Sequence, residues 1–320
     1  MSDLPNTRVT PSHPFTHTGL DFGGPFVVRE HKRRNARLLK VYICIFICFS
    51  TKAVHIELVA DLSSEAFLAS FKRFMARRGR VACLYSDNGT NFVGAARELN
   101  DLHEMFAKEQ VQRKLNDFFV EAQIQWQNIP PNAPHFGGLW EAAIKSAKYH
   151  MKRIIGNASL NYDEMSTAIT EIEAILNSRP VSPMSNDPND VQALTPGHFL
   201  IGKPLNSYSH PSLEDIQINR LSRWQLVERL RQHFWQRWHV EYLNNLQGRS
   251  KWMSNKGQPL KVGQLVVIQQ PGLAPLQWLM GRVLSIYRSS DNKIRSAEIK
   301  TSNSIITRPL TRLAILPIDV

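Results

Sequence analysis

Three acids in this 320-residue chain are of the type, and stand in the settings, that suit hard divalent cations. Asp21 sits in the middle of THTGLDFGGPF, a strand-like run closing on a Gly-Gly-Pro turn, where a charged residue is unexpected. Asp87 ends VACLYSD, the pattern of a buried strand, just before the turn-forming pair Asn88-Gly89. Glu141 falls on the first turns of a helix that opens after the loop PPNAPHFGG and runs without a breaker to Ile155. Individually each has an ordinary structural reading: a turn-stabilising Asp, an Asx turn, and an N-terminal acid favoured by the helix dipole. Together they point to magnesium, which takes oxygen ligands from a few carboxylates, waters and phosphate oxygens. Two such ions about 3.5–4 Å apart can clamp the attacking and leaving oxygens of an in-line phosphoryl displacement.

The helix that carries Glu141 also carries Lys145, Lys148 and Lys152, which follow at i+4, i+7 and i+11 on one stripe. Trp140, Ile144, Ala147, Met151 and Ile155 form a separate apolar stripe about a quarter turn away. Read alone, the charged stripe is a solvated face with a Glu141–Lys145 pair worth a few tenths of a kcal/mol. Beside phosphodiester chemistry it becomes a row of cations that holds a nucleic-acid backbone.

These residues need elements to position them. LLKVYICIFICFS and AVHIELV are β-prone runs that read as central strands, preceded by the basic hairpin tip REHKRRNAR. Phe67, Phe71 and Phe74 at i, i+4 and i+7 mark a helix starting at the caps Asp61 to Ser64 and ending near Gly79. VACLYSD is another strand, residues 93 to 122 read as helical, IQWQNIP is a strand, and helices follow at 139–155 and about 161–178. The order predicts a mixed α/β sheet with helices on both faces and a site at the carboxyl ends of central strands. His55 reads as a core or sheet-face histidine, and His135 lies in the loop over the site. Residues 181 to 220 read as a linker, followed by a Trp- and Arg-rich helix. From 255 to 318 the runs LVVI, GRVLSIY, AEIKT and IITRPL predict a small β barrel, with Trp278 beginning a strand in its core.

Composition narrows the partners. The net charge is +12, and residues 211–320 hold 16 Lys and Arg against 7 Asp and Glu, net +9, leaving 23 against 20, net +3, for residues 1–210. A polyanionic partner is expected, with the last third as a general nucleic-acid clamp. The longest apolar run, VYICIFICF, is too short to span a bilayer, and the first residues lack the apolar core of a signal peptide, so a soluble intracellular protein is expected. Three cysteines make no disulfide framework, and Cys44 and Cys48 within one strand read as packing.

The segments GLDFGGPF, STKAVHIELV, YSDNGTNF, PHFGGLWEAAIKS and LNSRP resemble the integrase core of long-terminal-repeat retrotransposons of the BEL/Pao group, over most of residues 12–205. Residues 222–318, with WxxGRV and TRPLTRLAILPI, resemble the region that follows that core. The resemblance implies a ribonuclease-H-like mixed five-stranded sheet flanked by helices over residues 1–180, a linker and helical segment over 181–254, and a basic SH3-like β barrel over 255–320. It implies a DDE-type polynucleotidyl transferase with endonuclease activity that trims and joins the 3′ ends of element DNA to target DNA. Asp21, Asp87 and Glu141 match the family's metal-binding acids for two Mg2+ or Mn2+ ions, while Lys145, Lys148, Thr90 and Asn91 match positions near the element's DNA, which Lys152 extends. The implied partners are double-stranded DNA and further copies of the chain, with no membrane and no small-molecule substrate, acting in the nucleus. Between Asp87 and Glu141 lie 53 residues, more than retroviral integrases have, with the helical stretch 93–122 as the site of the extra length. The family's His-His-Cys-Cys zinc domain has no counterpart among these residues, so the chain resembles the downstream part of a Pol polyprotein product. Two rival readings are a catalytically inactive, DNA-binding descendant of an integrase and a ribonuclease H.

Overall fold

A computed structural model of the chain describes residues 10–33, 35–87, 109–129, 138–156, 158–206, 210–217, 220–247, 260–290 and 292–316. The chain gathers into two compact units, one of residues 1–176 with 215–234, the other of residues 177–214 with 235–320. The stretch 181–254, read from sequence as linker and helix, is thus divided between them.

The first unit is built on a sheet of β1 (His17–Arg29), β2 (Leu38–Cys48), β3 (Val54–Val59), β4 (Cys83–Asp87) and β5 (Gln125–Ile129). The strand order is β3-β2-β1-β4-β5, with β1, β2 and β3 antiparallel and β4 and β5 parallel to β1. Residues 43 to 48 of β2 are all fully buried, which requires cover on both faces of the sheet. That cover comes from helices α1 (Ser64–Arg78), α2 (Glu109–Glu121), α3 (Gly138–Ile155) and α4 (Tyr162–Ser178). This order and mix define a ribonuclease-H-like fold, as the sequence leads one to expect.

Local chemistry explains the boundaries. The Ser63 hydroxyl caps α1 by accepting the Ala66 N–H at 3.1 Å, and Gly79 ends it at φ 93°, a conformation open to glycine at no steric cost. Phe67, Phe71 and Phe74 are buried against the sheet, Phe46 and Phe74 stacking at 4.1 Å. Ile144, Ala147, Met151 and Ile155 bury the apolar stripe of α3. The Gly-Gly-Pro segment is not a turn: β1 continues through it with a register shift between Gly23 and Phe26, because β2 is long enough to keep pairing out to Arg29. The predicted helix over 93–122 is seen from Glu109; residues 93–108 lie outside the described residues.

The second unit contains the two-stranded ladder of β6 (Ser182–Pro183) with β7 (Ala193–Leu194) and the short helix α5 (Pro196–Ile201), so the presumed linker has structure of its own. The long helix α6 (Arg223–Leu246) has residues in both units. Strands β8 (Leu265–Ile268), β9 (Met280–Arg288), β10 (Ile294–Thr301), β11 (Ile305–Pro309) and β12 (Leu313–Ile315) pair antiparallel in the order β11-β10-β9-β8-β12, with a 3₁₀ turn at Leu310–Arg312 before the last strand. This is the small SH3-like barrel expected from the sequence, with Val266, Ile268, Val283, Ala297, Ile299 and Leu313 inside.

The GRV segment owes its composition to close packing. A Cβ on Gly281 would lie 2.5 Å from Ile299 Cγ2 and 2.6 Å from the Lys300 carbonyl. Arg282 is buried and donates to the carbonyls of Asp190 at 2.8 Å, Gly263 at 3.0 Å and Ser185 at 2.5 Å, tying the 185–190 loop to the barrel. Trp278 departs from expectation. It precedes β9 by two residues, packs edge-on against Trp235 at 4.8 Å and donates to the Ser178 hydroxyl at 3.1 Å. A ring that broad fits between the barrel's outer face and α6, in the cluster with Leu243 and Tyr242. No helix is long and apolar enough to cross a membrane among the described residues.

Candidate metal and nucleic-acid site

Asp21 occupies the middle of β1, the central strand, and is partly exposed. The parallel pairing of β1 with β4 runs Thr18 to Leu84, Gly19 to Tyr85 and Leu20 to Ser86. One step further along the two strands come Asp21 and Asp87, so the backbone positions of the two acids are neighbours on adjacent strands, which lie about 4.8 Å apart. Asp87 is the last residue of β4, where its backbone pairs with Ile129 of β5. The end of β4 is braced by the Trp126 indole, which donates to the Ser86 hydroxyl at 3.0 Å.

Helix α3 lies against β1 and brings one lysine to this point. Lys148 Nζ is 2.7 Å from Asp21 Oδ2 and 3.2 Å from the Phe22 carbonyl, while Asp21 Oδ1 accepts the Phe22 N–H at 2.8 Å. Both carboxylate oxygens are therefore held in place. Gly23 makes the approach possible: a Cβ there would sit 3.2 Å from Lys148 Cδ and 3.0 Å from Ile43. Glu141 lies in the first turn of the same helix, two turns before Lys148, or about 10 Å along the axis. Lys145 and Lys152 are exposed on the same helix, as are Tyr149 and Arg153, whose guanidinium stacks 5.4 Å from the Tyr149 ring.

The structure thus brings Asp21 and Lys148 into contact and sets the backbones of Asp87 and Glu141 nearby. The side chains of Asp87 and Glu141 lie outside the described residues, as do Thr90, Asn91 and His135 entirely. Among the described residues no group of three His, Cys, Asp or Glu is placed to hold a metal ion. Asp21 is the one described carboxylate of the expected donor set, and its oxygens are of the hard type that magnesium takes. It is oriented by the Phe22 N–H and paired with Lys148, so a cation bound there would share or displace that ammonium.

Sequence reasoning missed the Asp21–Lys148 pair, placing the lysine on DNA alone. The available signal was Gly23, a small residue two positions after the acid on a strand that a lysine-bearing helix must cover. It also missed a buried ionic cluster on the far edge of the sheet. His55 lies between Glu57, whose Oε1 is 3.0 Å from Nε2, and Glu173, whose Oε2 is 3.3 Å from Nδ1. Arg73 and Arg77 pair with Glu57 at 2.7 and 3.0 Å, and Arg78 with Glu173 at 2.5 Å. Burial would lower the His55 pKa, but hydrogen bonds to Glu173 and Glu57 outweigh it and raise the pKa above the ordinary value. His55 is thus a core histidine, as read from its strand, with a carboxylate beside each ring nitrogen and the Arg78 Nε 3.3 Å from Nδ1.

Residues 222–316 match a family described as a family of unknown function (DUF5641), a match that starts one residue before α6 and runs through β12. No curated protein matches the chain in sequence. Among solved structures, the chain is similar to a cryo-EM structure of a simian T-cell lymphotropic virus intasome in complex with PP2A regulatory subunit B56 gamma. The identity is 15% and the TM-score 0.34, over 99% of this chain and 84% of that one. The class of the first unit therefore rests on its own strand order, and its function on the site.

Proposed function

We propose that the chain is a metal-dependent polynucleotidyl transferase, the integrase of a BEL/Pao-type retroelement. The observation that carries this reading is the juxtaposition of Asp21 and Asp87 on neighbouring central strands of a ribonuclease-H-like sheet, with a lysine-bearing helix laid across the first of them. Asp21, Asp87 and Glu141 would hold two Mg2+ or Mn2+ ions, which supply an activated attacking oxygen and stabilise the leaving one. Asp21 is presented in a fixed orientation by the Phe22 N–H. Lys148 bridges the carboxylate and the incoming phosphate, and Lys145 and Lys152 bind phosphates on either side of it along the duplex. Thr90 and Asn91 complete the contacts to the DNA end.

The reaction class is hydrolytic trimming of a DNA 3′ end followed by attack of the freed 3′-hydroxyl on a target phosphodiester. The basic barrel serves as a sequence-independent clamp on duplex DNA. Assembly of several copies around two DNA ends and action in the nucleus belong to the same proposal.

Strand transfer of a pre-trimmed duplex into plasmid DNA, with magnesium or manganese, tests it. The chain is expected to join the strands, and its Glu141→Gln form to bind the duplex without joining it. Salt-sensitive binding by both proteins with no reaction by either, even after addition of a family zinc domain, would favour the inactive, DNA-binding descendant. Cleavage of an RNA:DNA hybrid in place of joining would favour a ribonuclease H.

A further inference from the structure

The hairpin joining β1 to β2 has no part in the chemistry above. Its twelve residues from Arg29 to Lys40, REHKRRNARLLK, contain six Lys and Arg and one acid, Glu30. His31, Lys32, Arg33, Arg37 and Lys40 are exposed. A surface shaped by solubility alone intersperses both signs, whereas this tip concentrates one of them.

The base of the hairpin is anchored. The Glu30 N–H donates to the Arg37 carbonyl at 2.9 Å, and the Arg29 N–H to the Leu160 carbonyl at 2.7 Å, next to a parallel bridge between Arg29 and Asn161. The nearby acid Glu164 is held mainly by other partners, with Lys32 of the tip close enough to help lower its pKa. Arg223 Nε lies 2.8 Å from its Oε1, a second Arg223 nitrogen bonds its Oε2, and the Asn161 N–H donates to it at 2.9 Å. Six cations against Glu30 within the hairpin and Glu164 beside it leave the tip with a net positive field.

Its position relative to Asp21 follows from the strand. Arg29 lies eight steps along β1 from Asp21, about 26 Å at ~3.3 Å per residue if fully extended and less across the irregularity between Gly23 and Phe26, and the tip lies a few residues beyond, about 30 Å from the acid. Helix α3 runs the same way. Lys148 touches Asp21, and Leu160, five residues after the helix ends, pairs with Arg29. Lys152 and Arg153 lie one turn past Lys148, between the acid and the hairpin. A protein lying along one side of B-form DNA meets the phosphate backbone again after one helical turn, about 34 Å or 10 base pairs.

We propose that the β1–β2 hairpin is a second phosphate-binding element, gripping the duplex about 8–10 base pairs from the phosphodiester at Asp21, with Lys152 and Arg153 along the track between them. The spacing rests on the transferase reading, which sets where the reacting phosphodiester lies. The contacts are to phosphates, so they position the duplex and carry no sequence preference.

The test is fluorescence anisotropy with duplexes of 6 and 20 base pairs over a range of salt concentrations. It compares the full chain with a Lys32→Ala/Arg33→Ala/Arg37→Ala form and with a Lys32→Arg/Arg33→Lys/Arg37→Lys form. All three positions are exposed, so thermal melting is expected to be unchanged. On 20 base pairs the alanine form should bind at least about 10-fold more weakly at moderate salt, with a salt slope shallower by about 2–3, since each lost phosphate contact removes roughly 0.9. On 6 base pairs it should match the parent, and the charge-conserving form should match the parent on both. An unchanged slope on 20 base pairs overturns the proposal, and so does an equal loss on both lengths. Strand transfer by the same proteins keeps the two readings apart. Transfer by the parent with no hairpin effect on binding overturns the hairpin alone; a length-dependent hairpin effect in a parent that joins no strands, even after addition of a family zinc domain, overturns the transferase reading and leaves the clamp.

Discussion

On the proposed transferase reading, Asp21→Asn is expected to lose strand transfer by about 10³-fold or more while keeping most of its affinity for duplex DNA. The substitution changes one oxygen to an amide of nearly the same shape, so the strand, which buries Leu20 beside it, has no reason to rearrange. What goes is the negative charge that, on that reading, attracts the ions. Metal ions stabilise the transition state of phosphoryl transfer by several kcal/mol, and each ~1.4 kcal/mol is tenfold in rate. Lys148 also loses its ionic partner and becomes free to bind phosphate, so DNA affinity stays level or rises slightly. Titration with Mn2+, followed by its paramagnetic resonance, should show weakened ion binding in the same variant. Activity within tenfold of the parent, or unchanged Mn2+ affinity, would separate Asp21 from the chemistry.

Glu173→Ala is expected to destabilise the first unit by about 3–5 kcal/mol, the range for removing one partner of a buried ion pair. Glu173 accepts the Ile56 N–H at 2.8 Å and pairs with both His55 and Arg78, so its loss strands a backbone donor, a guanidinium and a histidine ring nitrogen at once. For a unit near 200 residues, that is a fall in Tm of about 10 °C. A fall under 3 °C would mean that water replaces the carboxylate.

The same cluster makes stability depend on pH. Because the folded pKa of His55 is raised, its contribution is complete below the ordinary value of 6.5 and is lost as pH rises through the folded value. Glu57 behaves oppositely. Burial would raise its pKa, but hydrogen bonds from His55 and Arg73 lower it, so its contribution is complete above 4.5 and is lost as pH falls through the folded value. The Tm difference between the parent and His55→Gln should therefore be widest between pH 4.5 and 6.5 and narrow as pH rises above 6.5 through the folded value. A difference that widens above pH 7 would contradict the raised pKa of His55.

The strands and helices that could be read from sequence were those whose burial imposes a period. β2 is a continuous apolar run because it is covered on both faces, and α1 and α3 show their stripes because each buries one side. What escaped depended on partners far along the chain. The Gly-Gly-Pro segment looks like a turn until β2 is seen pairing beyond it, and only the helix across the strand shows that Gly23 makes room for a lysine. Trp278 looks like barrel core because its neighbours are β-prone, and only α6 shows which face it covers. His55 and Glu173 are 118 residues apart, and nothing local to either announces the other. Of the site, Asp21 stood out because an acid in an apolar strand is locally unfavourable, the kind of inconsistency that marks function. Its pairing with Lys148 could be read only from the packed structure.

The most direct measurement of the central claim is strand transfer by Asp87→Asn with manganese, scored against the parent on the same pre-trimmed duplex and plasmid. Asp87 is placed beside Asp21 only by strand register, so its requirement tests whether the two neighbouring strands act together. Loss of joined product with retained, salt-sensitive duplex binding is the predicted result. Joined product from Asp87→Asn at a rate comparable to the parent would contradict the assignment of this site as the metal-dependent centre.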